Sequence, residues 1–184
     1  MQIIISLLNL QISNSLNAEA QRTLTDCKNR VFSMSIVHEK LYQSTDLARI
    51  DFQAYINSLI LHYKSIYEKN KPVSIINNVA LISFDINYAI PLGLIINELI
   101  SNSYKHAFPY QENGEIIISL ENNSENHYTL NYQDNGVGFP GNMKTLSSSS
   151  LGITLIFNLV RQLEANIEFT GPGARVSIDF HTKI

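Results

Sequence analysis

"NELISNSYKHAF", residues Asn97 to Phe108, has the period of a helix, yet its polar residues are too varied for ordinary packing. On a wheel of about 100° per residue, Asn97, Glu98, Ser101, Asn102, Lys105 and His106 share roughly half the circumference. Ile96, Leu99, Ile100, Ser103 and Ala107 take the other half. A solvated face is the usual meaning of such a pattern. This face mixes carboxamides, a carboxylate and cations, and the four-residue spacing of Glu98 and Asn102 stacks them one above the other.

Two further segments carry chemistry. "DNGVGF", Asp134 to Phe139, contains Asn-Gly, a hairpin-turn signal. Its D-x-G-x-G spacing adds an acid at a strand end and two glycines, Gly136 and Gly138, that let backbone approach a flat ligand. "SSSLGITLIFNLV" places Leu151 and Gly152 at a helix start, where exposed N–H groups favour an anion; a serine-rich linker is the plain alternative. It is not a P-loop, because no Gly-Lys follows at the required spacing.

Around these segments the chain alternates helices with strand pairs. The first helix is "QIIISLLNLQIS", with Ile4, Ile5, Leu8 and Ile12 on one stripe, and it breaks near Asn14, Ser15 and Asn17. In the second, Leu24, Cys27, Val31, Met34, His38 and Leu41 recur at spacings of three and four, a heptad seam. Two such helices bury little alone. A second hairpin completing a four-helix bundle would cover them, and packing onto the downstream segment is the alternative.

"STDLARID", Ser44 to Asp51, reads as a polar connector, and "FQAYINSLILHYKSIYEKNK" as an amphipathic helix. "VSIINNV" and "LISFDI" read as strands ahead of the long helix, which starts near Tyr88 with Asp85 or Asn87 as N-cap and tolerates Pro91 early in its course. "GEIIISLEN" pairs with "HYTLNYQDNG"; after a Gly- and Ser-rich loop and a helix come "NIEFT" and "RVSIDF". The fold class is α+β: a helical hairpin, then an α/β sandwich with helices over one face of a mixed sheet.

Composition bounds the function. At 184 residues and 45% hydrophobic, the chain has room for one domain with an appendage. A formal charge of −3 without a basic run disfavours nucleic acid as partner. Cys27 stands alone, so neither an internal disulfide nor a Cys-rich metal site is available, which suits the cytoplasm. The apolar start lacks a basic n-region and a cleavage site, and no run approaches the roughly 18 apolar residues of a membrane span. His62, His127 and His181 show no ligand spacing and are expected at surfaces or strand edges.

An Asn-rich helix, then D-x-G-x-G, then a loop ending in Leu-Gly at a helix start resembles the Bergerat ATP-binding fold of histidine kinases, gyrase-type topoisomerases and MutL-type ATPases. The resemblance covers about Ile50 to Ile184. "QIIISLLNLQ", "VHEKLYQSTDLARIDFQAYI" and "AIPLGLIINELISN" are similar to the second HisKA-type class of bacterial sensor histidine kinases. This implies a dimerisation and phosphotransfer hairpin over residues 1–45 and a catalytic ATP-binding domain over residues 46–184.

The resemblance also implies residue roles. Asn102 would ligate Mg²⁺ through its carboxamide oxygen, the hard donor that ion prefers. Lys105 and His106 would sit near the phosphates, with Asn97 on the nucleotide side. Glu98 matches the water-activating base of the gyrase-type relatives and takes a base-like or polar role. Asp134 would accept from the adenine amino group beside Gly136 and Gly138. Residues Phe139 to Leu151, with Lys144, would be a lid over the triphosphate, and Leu151 and Gly152 would present N–H groups to the phosphates.

The family's phosphoacceptor histidine, in an H-R-x-K-N-N-type motif, would fall less than about two helical turns ahead of Met1. Autophosphorylation at the usual position is therefore not expected of these residues alone. His38 occupies the heptad seam and reads as a packing residue rather than a substitute acceptor. Ala174 follows Gly173 where the family usually has threonine, so a contact at the adenine end is lost or replaced. The implied function is transfer of the ATP γ-phosphate to a histidine, then to the aspartate of a response-regulator receiver domain, by a homodimer. An anti-sigma-type serine kinase and a non-catalytic nucleotide-binding or dimerising module are the alternatives. Gyrase- or MutL-like function is disfavoured, because no transducer segment follows Ile184.

Overall fold

The computed structural model describes residues 2–43, 49–67, 72–109, 113–139, 151–171 and 173–183. Helices α1 (Gln2–Asn14) and α2 (Ala18–Gln43) form the expected hairpin. Asn17 caps α2, its side-chain oxygen accepting from the N–H groups of Glu19 and Ala20. Strand β1 (Arg49–Asp51), helix α3 (Phe52–Tyr67), strands β2 (Val73–Val79) and β3 (Ser83–Asp85) and helix α4 (Ile86–Asn102) follow. Strands β4 (Gly114–Ser124) and β5 (His127–Asp134), helix α5 (Leu151–Gln162), and strands β6 (Asn166–Thr170) and β7 (Arg175–His181) complete the order.

The main sheet runs β2-β4-β5-β7-β6, parallel between β2 and β4 and antiparallel elsewhere, so it is mixed as expected. One face is apolar by strict alternation: Ile116, Ile118 and Leu120 of β4 align with Leu130 and Tyr132 of β5 and Val176, Ile178 and Phe180 of β7, all buried. Helix α4 lies between α3 and α5 over that face, and it contributes Leu92, Ile95, Ile96 and Leu99 to the core.

Two expectations are corrected. The connector before α3 contains a strand: β1 pairs antiparallel with β3, Ile50 opposite Phe84, in a separate two-stranded sheet. The stretch "LISFDI" therefore contributes to that small sheet and not to the main one. Ile50 and Phe84 are both buried, and this apolar pair holds the short ribbon in place at the start of α4. Asp85 is the N-cap of α4, accepting from the Asn87 N–H at 2.6 Å, and the helix passes through Pro91 unbroken to Asn102.

The second helix has two working faces. The heptad face is half-buried at Leu24, Cys27 and Val31 and open at Met34. Asn29, Ser33, Ile36 and Val37 form a separate face that is buried, and α2 packs along α4 and α3. Packing of the hairpin onto the downstream segment is thus observed. Burial of Ile36 and Val37 contributes about 1.5–3 kcal/mol each as an upper estimate. Ser33 and Tyr55 add a buried hydroxyl pair at 2.6 Å. The His38 side chain lies outside the described ones.

Candidate functional site

The polar half of α4 is not a solvated face. Asn97, Glu98 and Ser101 are 1%, 5% and 5% exposed. Buried polar groups need partners, and each of the first two has them. The Tyr63 hydroxyl lies 3.1 Å from both the backbone oxygen and Oδ1 of Asn97, while Asn97 Nδ2 reaches Glu98 Oε1 at 3.4 Å. Glu98 receives both Nε and Nη2 of Arg30, at 2.7 and 2.8 Å. Those bonds hold the guanidinium pKa above its ordinary value despite burial.

Helix α4 does not continue regularly to Phe108. From Ser103 to Ala107 the chain forms a π-helical turn, a wider coil that shifts the phase of every later side chain. Ser103, Tyr104 and Ala107 turn inward, and Lys105 and His106 stay exposed. Lys105 Nζ meets Asp26 Oδ1 of α2 at 2.5 Å.

Asp134, at the end of β5, is 1% exposed. Its Oδ1 accepts from the backbone N–H groups of Gly136 and Ala174, each at 3.0 Å, and its Oδ2 from the Ser103 hydroxyl. That hydroxyl is also 2.8 Å from the Tyr132 hydroxyl. The glycines first serve the protein itself. A Cβ at Gly136 would stand 2.4 Å from the Ala107 carbonyl oxygen, and Gly138 and Gly173 have φ of +78° and +74°. The loop after Asp134 thereby closes on the π turn and the Gly173 loop closes on Asp134, which orients the carboxylate.

These parts enclose one cavity of about 560 Å³. Its wall brings together Glu98, Asn102, Lys105 and His106 from the long helix and its π turn, with Asp134 and Gly138 from the following loop. Leu151 and Gly152 close it at the first residues of α5. Asn97 and Gly136 are not on the wall: Asn97 stands behind Glu98, and Gly136 packs against the π turn. Of the expected lid, Phe139 to Leu151, residues 140–150 with Lys144 lie outside the described residues.

Sequence reading missed two groups. Thr23, Asp26 and Arg30 of α2 line the cavity, so the helical hairpin supplies part of its wall. Their spacing of three and four was the available signal, but it ran beside the stronger heptad stripe. A regular wheel puts Ser103 on the apolar half, where it is buried, but gives no sign of the Asp134 carboxylate it meets there. Chemically, the wall offers the amide oxygen of Asn102, a lysine, a histidine, the first residues of α5 and the oriented Asp134 carboxylate, together with apolar groups (Ala107, Val137, Ile153). Such a lining suits a ligand that carries both negative charge and a hydrogen-bond donor.

Both parts of the chain have counterparts among known proteins. Residues 87–184 match the family described as histidine kinase-, DNA gyrase B- and HSP90-like ATPases, and residues 1–67 match a family described as histidine kinase. The sensor histidine kinase PdtaS of Mycobacterium tuberculosis is 29% identical over 161 residues, 87% of this chain and 32% of the relative. The chain thus spans about a third of the length of the PdtaS relatives, and less of the other curated relatives it matches. Among solved structures, the histidine kinase domain of the Erythrobacter litoralis EL346 blue-light-activated kinase gives a TM-score of 0.77 at 21% identity, covering 97% of this chain and 84% of that one. The Acinetobacter baumannii histidine kinase AdeS gives 0.61 at 16% identity, covering 98% and 95%.

Proposed function

Because the chain belongs to the histidine kinase-, DNA gyrase B- and HSP90-like ATPase family, with the organisation of a sensor histidine kinase core, we propose that it binds Mg·ATP and passes the γ-phosphate to a histidine. From there the phosphate goes to a response-regulator aspartate. The observation that carries this reading is convergence: the end of α4, the Asp134 loop and the start of α5, far apart in sequence, line one cavity. Among the described residues no helix is long and apolar enough to cross a membrane.

The donor set fits the ligand. Asp134 is held by three hydrogen bonds, so its carboxylate is fixed to accept from the adenine amino group. Asn102 would offer its carboxamide oxygen to Mg²⁺, which favours hard oxygen donors. When bound, that ion neutralises charge on the phosphate oxygens. Lys105, His106 and the N–H groups at Leu151 and Gly152 hold the triphosphate. Phosphoryl transfer needs positioning and charge neutralisation more than covalent help, and amides, backbone and one or two cations supply that.

Labelled ATP with Mg²⁺, supplied with a histidine-bearing partner hairpin, tests the proposal. Label on the added histidine supports it. ATP binding without transfer leaves a nucleotide-binding module, and absence of binding refutes the reading. Asn102→Ala is expected to abolish Mg²⁺-dependent ATP binding.

A further inference from the structure

We propose that Arg30, on the helical hairpin, is a positioning residue that holds both oxygens of Glu98 and thereby keeps this carboxylate from activating water, reserving the γ-phosphate for a nitrogen nucleophile. The inference rests on the ATP-site reading above. Glu98 has the placement of a base: it lies on the cavity wall one helical turn from Asn102, and it is 5% exposed. Its geometry withholds it from that role. Two parallel guanidinium N–H groups, at 2.7 and 2.8 Å, occupy the inner lone pairs of the two oxygens. Asn97 Nδ2 adds a third donor at 3.4 Å. The first turn of α5 fences the remaining side, since a Cβ at Gly152 would lie 2.6 Å from Glu98 Oε2.

The consequence differs between nucleophiles. When water attacks, its oxygen forms the new bond to the γ-phosphorus as the bond to the β,γ-bridging oxygen breaks and ADP leaves with that electron pair. The water must also give up a proton, and Glu98 is the cavity carboxylate next to the Asn102 turn. A neutral imidazole nitrogen attacks with a free lone pair and needs no proton removed beforehand. Occupying Glu98 therefore suppresses hydrolysis and leaves transfer to histidine untouched. Arg30 belongs to α2, so the restraint is present while the hairpin lies along α4.

Phosphate release from Mg·ATP by the whole chain tests this, with binding of a fluorescent ATP analogue measured alongside. Arg30→Met is expected to raise kcat for phosphate release about a hundredfold, the lower range of a general-base contribution, read at saturating nucleotide because Arg30 also lines the cavity. Its pH–rate profile gains a limb that Glu98→Gln removes, and the double variant returns to the parental rate. Arg30→Lys, which keeps the charge and one hydrogen bond, gives a smaller rise and carries the test if Arg30→Met does not fold. A variant that binds the analogue but hydrolyses no faster, or a rise that persists in the double variant with Glu98→Gln, overturns the inference alone. A parent chain that does not bind the analogue overturns the ATP reading, and this one with it.

Discussion

Ser103, at the start of the π turn, donates its hydroxyl hydrogen to Asp134 at the end of the central strand β5. Both side chains are buried, at 3% and 1% exposure. The bond fixes the carboxylate on the side away from the Gly136 and Ala174 N–H groups. It also brings a hydroxyl to the carboxylate that the Ala174 N–H meets, beside the position where a threonine was expected after Gly173.

Ser103→Ala is accordingly expected to lower unfolding free energy by about 1.5–3 kcal/mol, the range for a hydrogen bond to a charged group, and to weaken ATP binding. Urea unfolding and calorimetric titration check the two effects. Unchanged affinity with lowered stability would assign the bond to the fold alone.

Lys105 presents the opposite case, a residue already engaged. Its ion pair with Asp26 joins two side chains that are 32% and 28% exposed, so the pair is screened and contributes at most about 1 kcal/mol. Phosphate oxygens would compete for the same ammonium group. Asp26→Asn is expected to tighten ATP binding several-fold, up to about the fivefold that such a pair's worth converts to, and Lys105→Ala to weaken it. The gain in Asp26→Asn shrinks as salt rises. A fluorescent-nucleotide titration at two ionic strengths reads both, and weaker binding in Asp26→Asn would show the pair holding Lys105 in place rather than occupying it.

The parts of the fold written in strict periods were legible in sequence. "GEIIISLEN" and "HYTLNYQDNG" read as paired strands, and they are the antiparallel neighbours β4 and β5. The pattern Asn102, Asp134, Gly152 predicted one site, and the cavity joins those residues. What escaped was set by tertiary contact. Ser103 meets Asp134 from 31 positions away, and nothing in "SNSYKHAF" announces that partner or the π turn that begins at Ser103. Arg30 reads as an ordinary surface cation until Glu98, 68 positions away, is placed beside it. Arg49–Asp51 was hidden by its brevity, since three residues carry no measurable period.

Acid should loosen the hairpin. His62 stacks on Phe32 of α2 with ring centroids 3.6 Å apart, and its Nε2 is buried. Burial, with a smaller contribution from Lys28, lowers its pKa from 6.5 to about 4. The folded state therefore favours neutral imidazole, and the unfolded state binds the proton more readily. The stabilisation is complete above pH 6.5 and is lost progressively as pH falls through the window toward 4. Thermal melts between about pH 7.5 and about pH 4.5, which bracket most of that window, should show a decline that His62→Phe reduces. An identical pH slope in parent and variant would place the acid sensitivity elsewhere.

The first helix predicts self-association. Ile5, Leu8 and Ile12 are half-buried and α1 packs along α2, while Ile3, Leu7 and Leu10 stand 77%, 58% and 58% exposed at spacings of four and three. A stripe of large apolar side chains on one helix face is the mark of a surface that another element covers. The hairpin's remaining heptad face, with Met34 at 36% exposure, offers a like surface, and a second copy of the hairpin would bury both in a four-helix bundle. Leu7→Glu combined with Leu10→Glu is expected to give a monomer in analytical ultracentrifugation, with ATP affinity and the melting of the α/β sandwich unchanged, because neither residue touches the cavity. A parent chain that sediments as a monomer at micromolar concentration would show that the stripe is covered by something other than a second copy.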